Sequence, residues 1–100
     1  GIKMKLQIRQ LVLGIAEILS SNNERFWAEQ FEYLNARLDT DYLETLIIIN
    51  SMYGGAGSFN DVVLHKDGWP VTAQNRELQA LKSSLHQLIE TELMNNNHPD

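Results

Sequence analysis

Asp41-Tyr42-Leu43-Glu44-Thr45-Leu46-Ile47-Ile48-Ile49-Asn50-Ser51-Met52-Tyr53-Gly54-Gly55 is the stretch on which the fold turns. Three consecutive isoleucines favour a strand, because β-branched side chains lose freedom in a helix and pack well on a pleated surface. The ends argue the other way. Asp39-Thr40-Asp41 puts capping oxygens and negative charge where the unpaired amides of a helix N-terminus need them. Gly54 or Gly55 is placed to end the segment in the left-handed conformation. The reading is a helix over about residues 41–53. Apolar residues nearly encircle it, which predicts the central buried helix of the fold.

Downstream, Tyr53-Gly54-Gly55-Ala56-Gly57-Ser58-Phe59-Asn60-Asp61 holds three of the six glycines. Three glycines in four positions specify a loop shape, since glycine serves where φ must be positive or groups approach closely. The loop lacks the Gly-Lys-Ser/Thr ending of a phosphate loop. Nor does it follow a strand and open a helix, as a dinucleotide fingerprint must. The simpler reading is structural: one glycine stops the helix, the others reverse the chain, and Phe59 anchors the loop in the core. Ser58, Asn60 or Asp61 then bonds its amides. Asp61-Val62-Val63-Leu64-His65 and Trp69-Pro70-Val71 flank Lys66-Asp67-Gly68, which predicts a hairpin about an Asp-Gly turn. Pro70 confines its run to an edge or denies it ladder pairing altogether. Thr72 caps a last helix of about residues 73–94, with Leu78, Leu81, Leu85, Leu88, Ile89 and Leu93 as its apolar stripe. Residues 95–100 read as a frayed polar tail.

Upstream, Trp27, Phe31, Leu34 and Leu38 are spaced four, three and four apart, an aromatic-rich helix face with Phe26 and Tyr33 at its edges. Asn22 or Asn23, in the polar break before it, is the predicted cap. A first helix, about residues 3–20, carries Ile8, Leu11, Val12, Ile15, Ile18 and Leu19 on one stripe; alternation at Ile2, Met4, Leu6 and Ile8 leaves a short leading strand open. Lys3, Lys5 and Arg9 ahead of an apolar run resemble a signal peptide. Glu17 interrupts the run and no small-residue cleavage site follows, so a mature amphipathic helix is the better reading. The expected architecture is all-α: a four-helix bundle in one domain over residues 1–100, with a Gly-rich loop and a short β-hairpin between the third and fourth helices.

A chain of 100 residues with 43% hydrophobic content is long enough for one core. It has no cysteine, which excludes disulfides and thiolate metal sites and suits a reducing, cytoplasmic setting. No run approaches the roughly 20 apolar residues of a membrane span. Net charge is −5, unevenly placed: +2 over residues 1–20, −4 over residues 24–44 and −3 over the remainder. Such a surface repels phosphate backbones and attracts cationic partners, so no nucleic-acid role is expected.

His65, His86 and His98 are too scattered for a metal site, which favours paired ligands at short spacing, and no metal or cofactor is expected. His65 beside Asp61 or Asp67 has the residue types of an acid–base pair, but no nucleophile or oxyanion donor is indicated, and an enzyme is not expected. Trp27 and Trp69 are of a kind that most often fills cores; Trp69, on the hairpin, is the better contact residue. Glu29, Glu32, Asp39, Asp41 and Glu44 lie on one helix, its exit turn and the start of the next. Antiparallel packing would gather several of them at one end of the molecule. Clustered acids raise the rate of association with a basic partner more than its affinity. A merely solvated helix face is the alternative.

The stretch Tyr53-Gly54-Gly55-Ala56-Gly57-Ser58-Phe59-Asn60-Asp61-Val62-Val63-Leu64, with Trp27-Ala28-Glu29 upstream, resembles a family of small bacterial helical proteins of unknown function. Its members carry a Gly-Gly-Met-Gly-Ser-Phe-Asn-Asp-like segment; here Ala56 stands where methionine is usual. Small acidic proteins of this kind also look like immunity proteins encoded beside the toxins of contact-dependent growth inhibition systems. That likeness implies stoichiometric binding to the C-terminal domain of a toxin, commonly a nuclease with a basic cleft. It assigns charge to Glu29, Glu32, Asp39, Asp41 and Glu44, and specific contacts to Asn60, Asp61 and Trp69. The competing readings are an interaction module, such as a homodimer built on the third helix, and an enzyme using the loop and His65.

Overall fold

The computed structural model describes residues 2–54 and 59–96. Four α-helices account for most of them: α1 (Ile2–Ser21), α2 (Arg25–Arg37), α3 (Tyr42–Ser51) and α4 (Thr72–Asn96). Between α3 and α4 lie a single 3-10 turn, Phe59–Asp61, and two short strands, β1 (His65–Lys66) and β2 (Trp69–Pro70). The contested isoleucines are helical. Packing decides this: Leu46 and Ile49 are buried at helical spacing on one side of α3, and that outweighs a modest local β-propensity.

Neighbouring helices run in opposite directions. Arg9 of α1 meets Asn35 of α2, while Glu17 and Glu32 border one groove further along the pair. Gly14, Glu17 and Ser21 of α1 border one groove with Leu81, Glu77 and Gln74 of α4, in opposite chain order. Tyr42 reaches Glu92, and Tyr53 reaches Lys82, so α3 and α4 are also antiparallel. The core is centred on α1, whose Ile8, Val12, Ile15, Ala16, Ile18 and Leu19 are buried. The expected central place of α3 is therefore wrong. Only Thr45, Leu46 and Ile49 of α3 are buried, and Leu43 and Ile47 face solvent. Within the fold α3 packs mainly against α4 and α2, so its encircling apolar pattern leaves one face bare.

The helix ends correct further expectations. Asn22 and Asn23 close α1 instead of opening α2. Asn23 takes φ 64°, Glu24 N–H donates to Leu19 O at 2.9 Å, and Asn22 Nδ2 donates to Ile18 O at 2.8 Å. Asparagine tolerates the left-handed conformation, and the orphan carbonyls at a helix end need donors as much as the amides of the next helix need acceptors. Glu24 then occupies the N-cap of α2 without a side-chain cap bond. Asp41 does sit at the N-cap of α3, but its carboxylate turns back to Arg37 at 3.2 Å instead of capping. The last turn of α3 ends at Met52 in the right-handed region, and Gly54 has no positive φ. Gly55, Ala56, Gly57 and Ser58 lie outside the described residues. At its far end α4 continues through Asn95 and Asn96, two residues into the segment read as a tail; Asn96 Nδ2 donates to Glu92 O at 2.9 Å.

The hairpin forms about the expected Asp-Gly turn, but its strands are shorter than read: Asp61 belongs to the 3-10 turn, and Val62, Val63, Leu64 and Val71 lie outside both strands. Asp67 and Gly68, at φ 54° and 86°, make the two-residue turn whose twist suits paired strands, in the register His65↔Pro70 and Lys66↔Trp69. Asn75, in the first turns of α4, fastens the hairpin to that helix. Its Oδ1 accepts from Leu64 N–H at 2.7 Å and its Nδ2 donates to Leu64 O at 3.0 Å.

Candidate functional site

Phe59 is the anchor of the inter-helix segment, fully buried among Phe31, Trp27 and Tyr53 at ring-centroid distances of 4.6, 5.7 and 6.1 Å. Beneath it runs Lys82 of α4, only 2% exposed. The ammonium donates to Phe59 O at 3.3 Å and Asn60 O at 3.1 Å, and lies 4.7 Å from the Phe59 ring centroid. Burial pulls the Lys82 pKa below the ordinary lysine value, against the opposing pull of the Asp61 charge. This lysine holds the 3-10 turn, with Asn60 and Asp61, at a fixed height over α4. Composition and charge counts had passed it over; its place on the α4 core line with Leu78, Leu85 and Ile89 was the available signal.

Tyr53 hydroxyl donates to Lys82 O at 2.8 Å, and Tyr42 hydroxyl donates to the buried Glu92 at 2.6 Å. Burial pushes both phenols above their ordinary pKa, and for Tyr42 the Glu92 carboxylate adds to the effect. His65 Nδ1 lies 2.9 Å from Val63 O, a backbone contact. Among the described residues no group of three or more His, Cys, Asp or Glu side chains is placed to hold a metal ion, and no helix is long and apolar enough to cross a membrane.

The acids singled out by sequence separate into two sets. Asp39, Asp41 and Glu44 do gather at the α2–α3 corner, but among cations. Arg9 and Lys5 of α1 both pair with Asp39, and Arg37 pairs with Asp41 at 3.2 Å and Glu44 at 3.7 Å. Three carboxylates thus face three cations from the same chain. Glu29 and Glu32 are different. Both are exposed on α2, and among the described residues neither has an ion-pair partner. Phe26 and Tyr33, 62% and 59% exposed, share that outer side of α2, three residues before and four after Glu29. Spacings of three and four put all three side chains on one face. Sequence reading had assigned both rings to the edge of a buried stripe.

Trp69 is 76% exposed on the hairpin, so it does not pack onto the helices. Asn60 and Asp61 belong to the turn over Lys82. The structure therefore gathers Asp39, Asp41 and Glu44 into one charged corner, sets Glu29 and Glu32 on a neighbouring helix face, and leaves Trp69 on a separate projection.

Residues 20–72 match a family model described as a domain of unknown function, DUF6966, so the chain belongs to that family. The match spans α2, α3 and the hairpin, and with them every residue expected to touch a partner. No curated protein and no solved structure matches the chain.

Proposed function

We propose that this member of the family is a non-enzymatic binding protein of the immunity type, which blocks a basic cleft on a toxin domain, a nuclease by preference, in the cytoplasm. In this reading the antiparallel helices form a closed four-helix bundle whose working surface is the outer side of α2. The observation that carries it is the set Phe26, Glu29, Glu32 and Tyr33: two exposed rings and two unpaired carboxylates on one side of one helix. Aromatic side chains are enriched at the energetic centres of interfaces, and carboxylates unmatched within the chain are available to steer a cationic partner. Asp39, Asp41 and Glu44 contribute less to such steering than their number implies, because their field is largely cancelled by Lys5, Arg9 and Arg37. Trp69 adds a second contact from the hairpin.

The test is co-purification of the full chain with the C-terminal domain of a toxin encoded beside it, followed by association kinetics. Glu29→Lys/Glu32→Lys should slow association and flatten its salt dependence. Phe26→Ala should speed dissociation, by a loss of about 2 kcal/mol if the ring is an interface centre. Kinetics unchanged in both variants would remove α2 from the interface. A second reading, a homodimerisation module on α3, is favoured by the bare Leu43 and Ile47, and predicts a doubled mass without any toxin.

A further inference from the structure

The outer side of α1 carries an apolar line that the fold leaves uncovered. Ile2, Leu6 and Leu13 are 81%, 55% and 45% exposed, on the side opposite the buried stripe of the same helix. At 3.6 residues per turn these three positions fall within about 40° of one another. Spacings of four and seven fit one side of a helix–helix seam.

Charge along this line is asymmetric. Lys3 lies at its start and Glu17 at its end, both exposed, and among the described residues neither has an ion-pair partner. The other N-terminal cations, Lys5 and Arg9, are engaged by Asp39 of the α2–α3 corner. A line with a free cation at one end and a free anion at the other is complementary to itself when reversed.

We propose that two copies of this chain pair through α1, antiparallel about a two-fold axis near Gln10. Leu6 of each copy then meets Leu13 of the other, and Lys3 of each lies beside Glu17 of the other. Every contact occurs twice, as a two-fold interface requires. The exposed pair on α3, Leu43 and Ile47, lacks this self-complementarity: its charged neighbour, Glu44, is already answered by Arg37. The α1 seam leaves Phe26, Glu29 and Tyr33 of the surface proposed above open, and runs beside Glu32, which borders one groove with Leu13 and Glu17.

Sedimentation equilibrium on the full chain is the primary test, and the expected result is a species of twice 11.4 kDa. Leu6→Glu/Leu13→Glu should return it to a single-chain mass with unchanged helical circular dichroism. Glu17→Lys should weaken pairing roughly tenfold, since two ion pairs per dimer become repulsions. The swap Lys3→Glu/Glu17→Lys should restore it. Because the chain has no cysteine, direction is read by cross-linking: a mixture of Leu6→Cys and Leu13→Cys proteins should oxidise to the mixed dimer. A single-chain mass at every concentration overturns the proposal. So does a dimer dissolved by Leu43→Glu/Ile47→Glu but not by the α1 variant, or cross-linking of Leu13→Cys to itself.

Discussion

Asn75→Ala tests whether one side chain holds the hairpin to the helices. Leu64 is fully buried, and its N–H has Asn75 Oδ1 as its acceptor at 2.7 Å. Its carbonyl is shared: Val71 N–H reaches it at 3.1 Å in addition to Asn75 Nδ2 at 3.0 Å. Removing the amide therefore orphans the Leu64 N–H but not its carbonyl. An orphaned buried donor costs about 1–3 kcal/mol, and the second, shared bond adds about 0.5 kcal/mol. Alanine returns roughly 0.5 kcal/mol through its higher helix propensity. The net expectation is a loss of about 2 kcal/mol, or roughly 10 °C in a domain of this size. Urea unfolding followed by circular dichroism measures it, and amide exchange at Leu64 localises it.

Asn75→Asp separates the two halves of the interaction. The carboxylate still accepts from Leu64 N–H, yet it presents an oxygen where Nδ2 donated. If the N–H dominates, the aspartate variant should recover more than half of the stability lost in alanine. A loss under about 0.5 kcal/mol in Asn75→Ala would mean that water serves the Leu64 N–H, contrary to its burial. An aspartate variant as damaged as the alanine one would equally refute the assignment of the cost to that donor.

Phe59→Ala should cost about 3–5 kcal/mol, a large part of the roughly 5–15 kcal/mol expected for a domain, and be visible as a lowered urea midpoint. Alkaline titration separates a buried lysine from two tyrosines whose effects on stability have opposite sign. Lys82 has a lowered folded pKa, so the unfolded chain holds its proton longer, and stability rises with pH below the ordinary lysine value of about 10.4; Lys82→Met should abolish that rise. Tyr42 and Tyr53 have raised folded pKa values, so their stabilisation is complete below about pH 10 and is lost above it, and Tyr53→Phe should shift the onset of alkaline unfolding upward. Identical slopes of unfolding midpoint against pH in the parent and both variants would contradict these burial assignments. Gly68→Ala should destabilise by about 1 kcal/mol through its φ of 86° alone, because an added Cβ meets open space, whereas Gly54→Ala, equally open and without positive φ, should be neutral or slightly stabilising.

Much of the architecture was readable before any coordinates. The α1 stripe names five residues that are buried and Leu11, which is half-buried, because a 3.6-residue period is a direct image of one covered face. Asp67-Gly68 specified the hairpin, since few residue pairs accept two successive positive φ values. What was missed required knowing neighbours. Asn22 and Asn23 have chemistry that serves either a helix end or a helix start, and only the chain path chooses. An apolar circumference on α3 does not tell which side remains bare. Lys82 and Glu92 were legible in principle: both fall on the line of Leu78, Leu85 and Ile89, and a charge on a core line marks a buried polar contact.

The acidic count was legible and misleading at once. Six carboxylates lie within residues 24–44, but which of them an approaching partner senses depends on where α1 delivers its cations. The N-terminal surplus of positive charge, read as a separate feature, turns out to face the acidic corner: Lys5 and Arg9 reach Asp39 across 34 and 30 positions of sequence. Exposed pairs of this kind stabilise only by about 0–1 kcal/mol each, yet their effect on the outside field is larger, because opposite charges a few ångströms apart cancel beyond a Debye length of about 8 Å. Net charge thus predicts solubility, while the unpaired remainder predicts recognition. On this molecule that remainder includes Glu29 and Glu32, beside two exposed rings on the same helix, and it is there that added salt should slow the cationic partner of the proposed function.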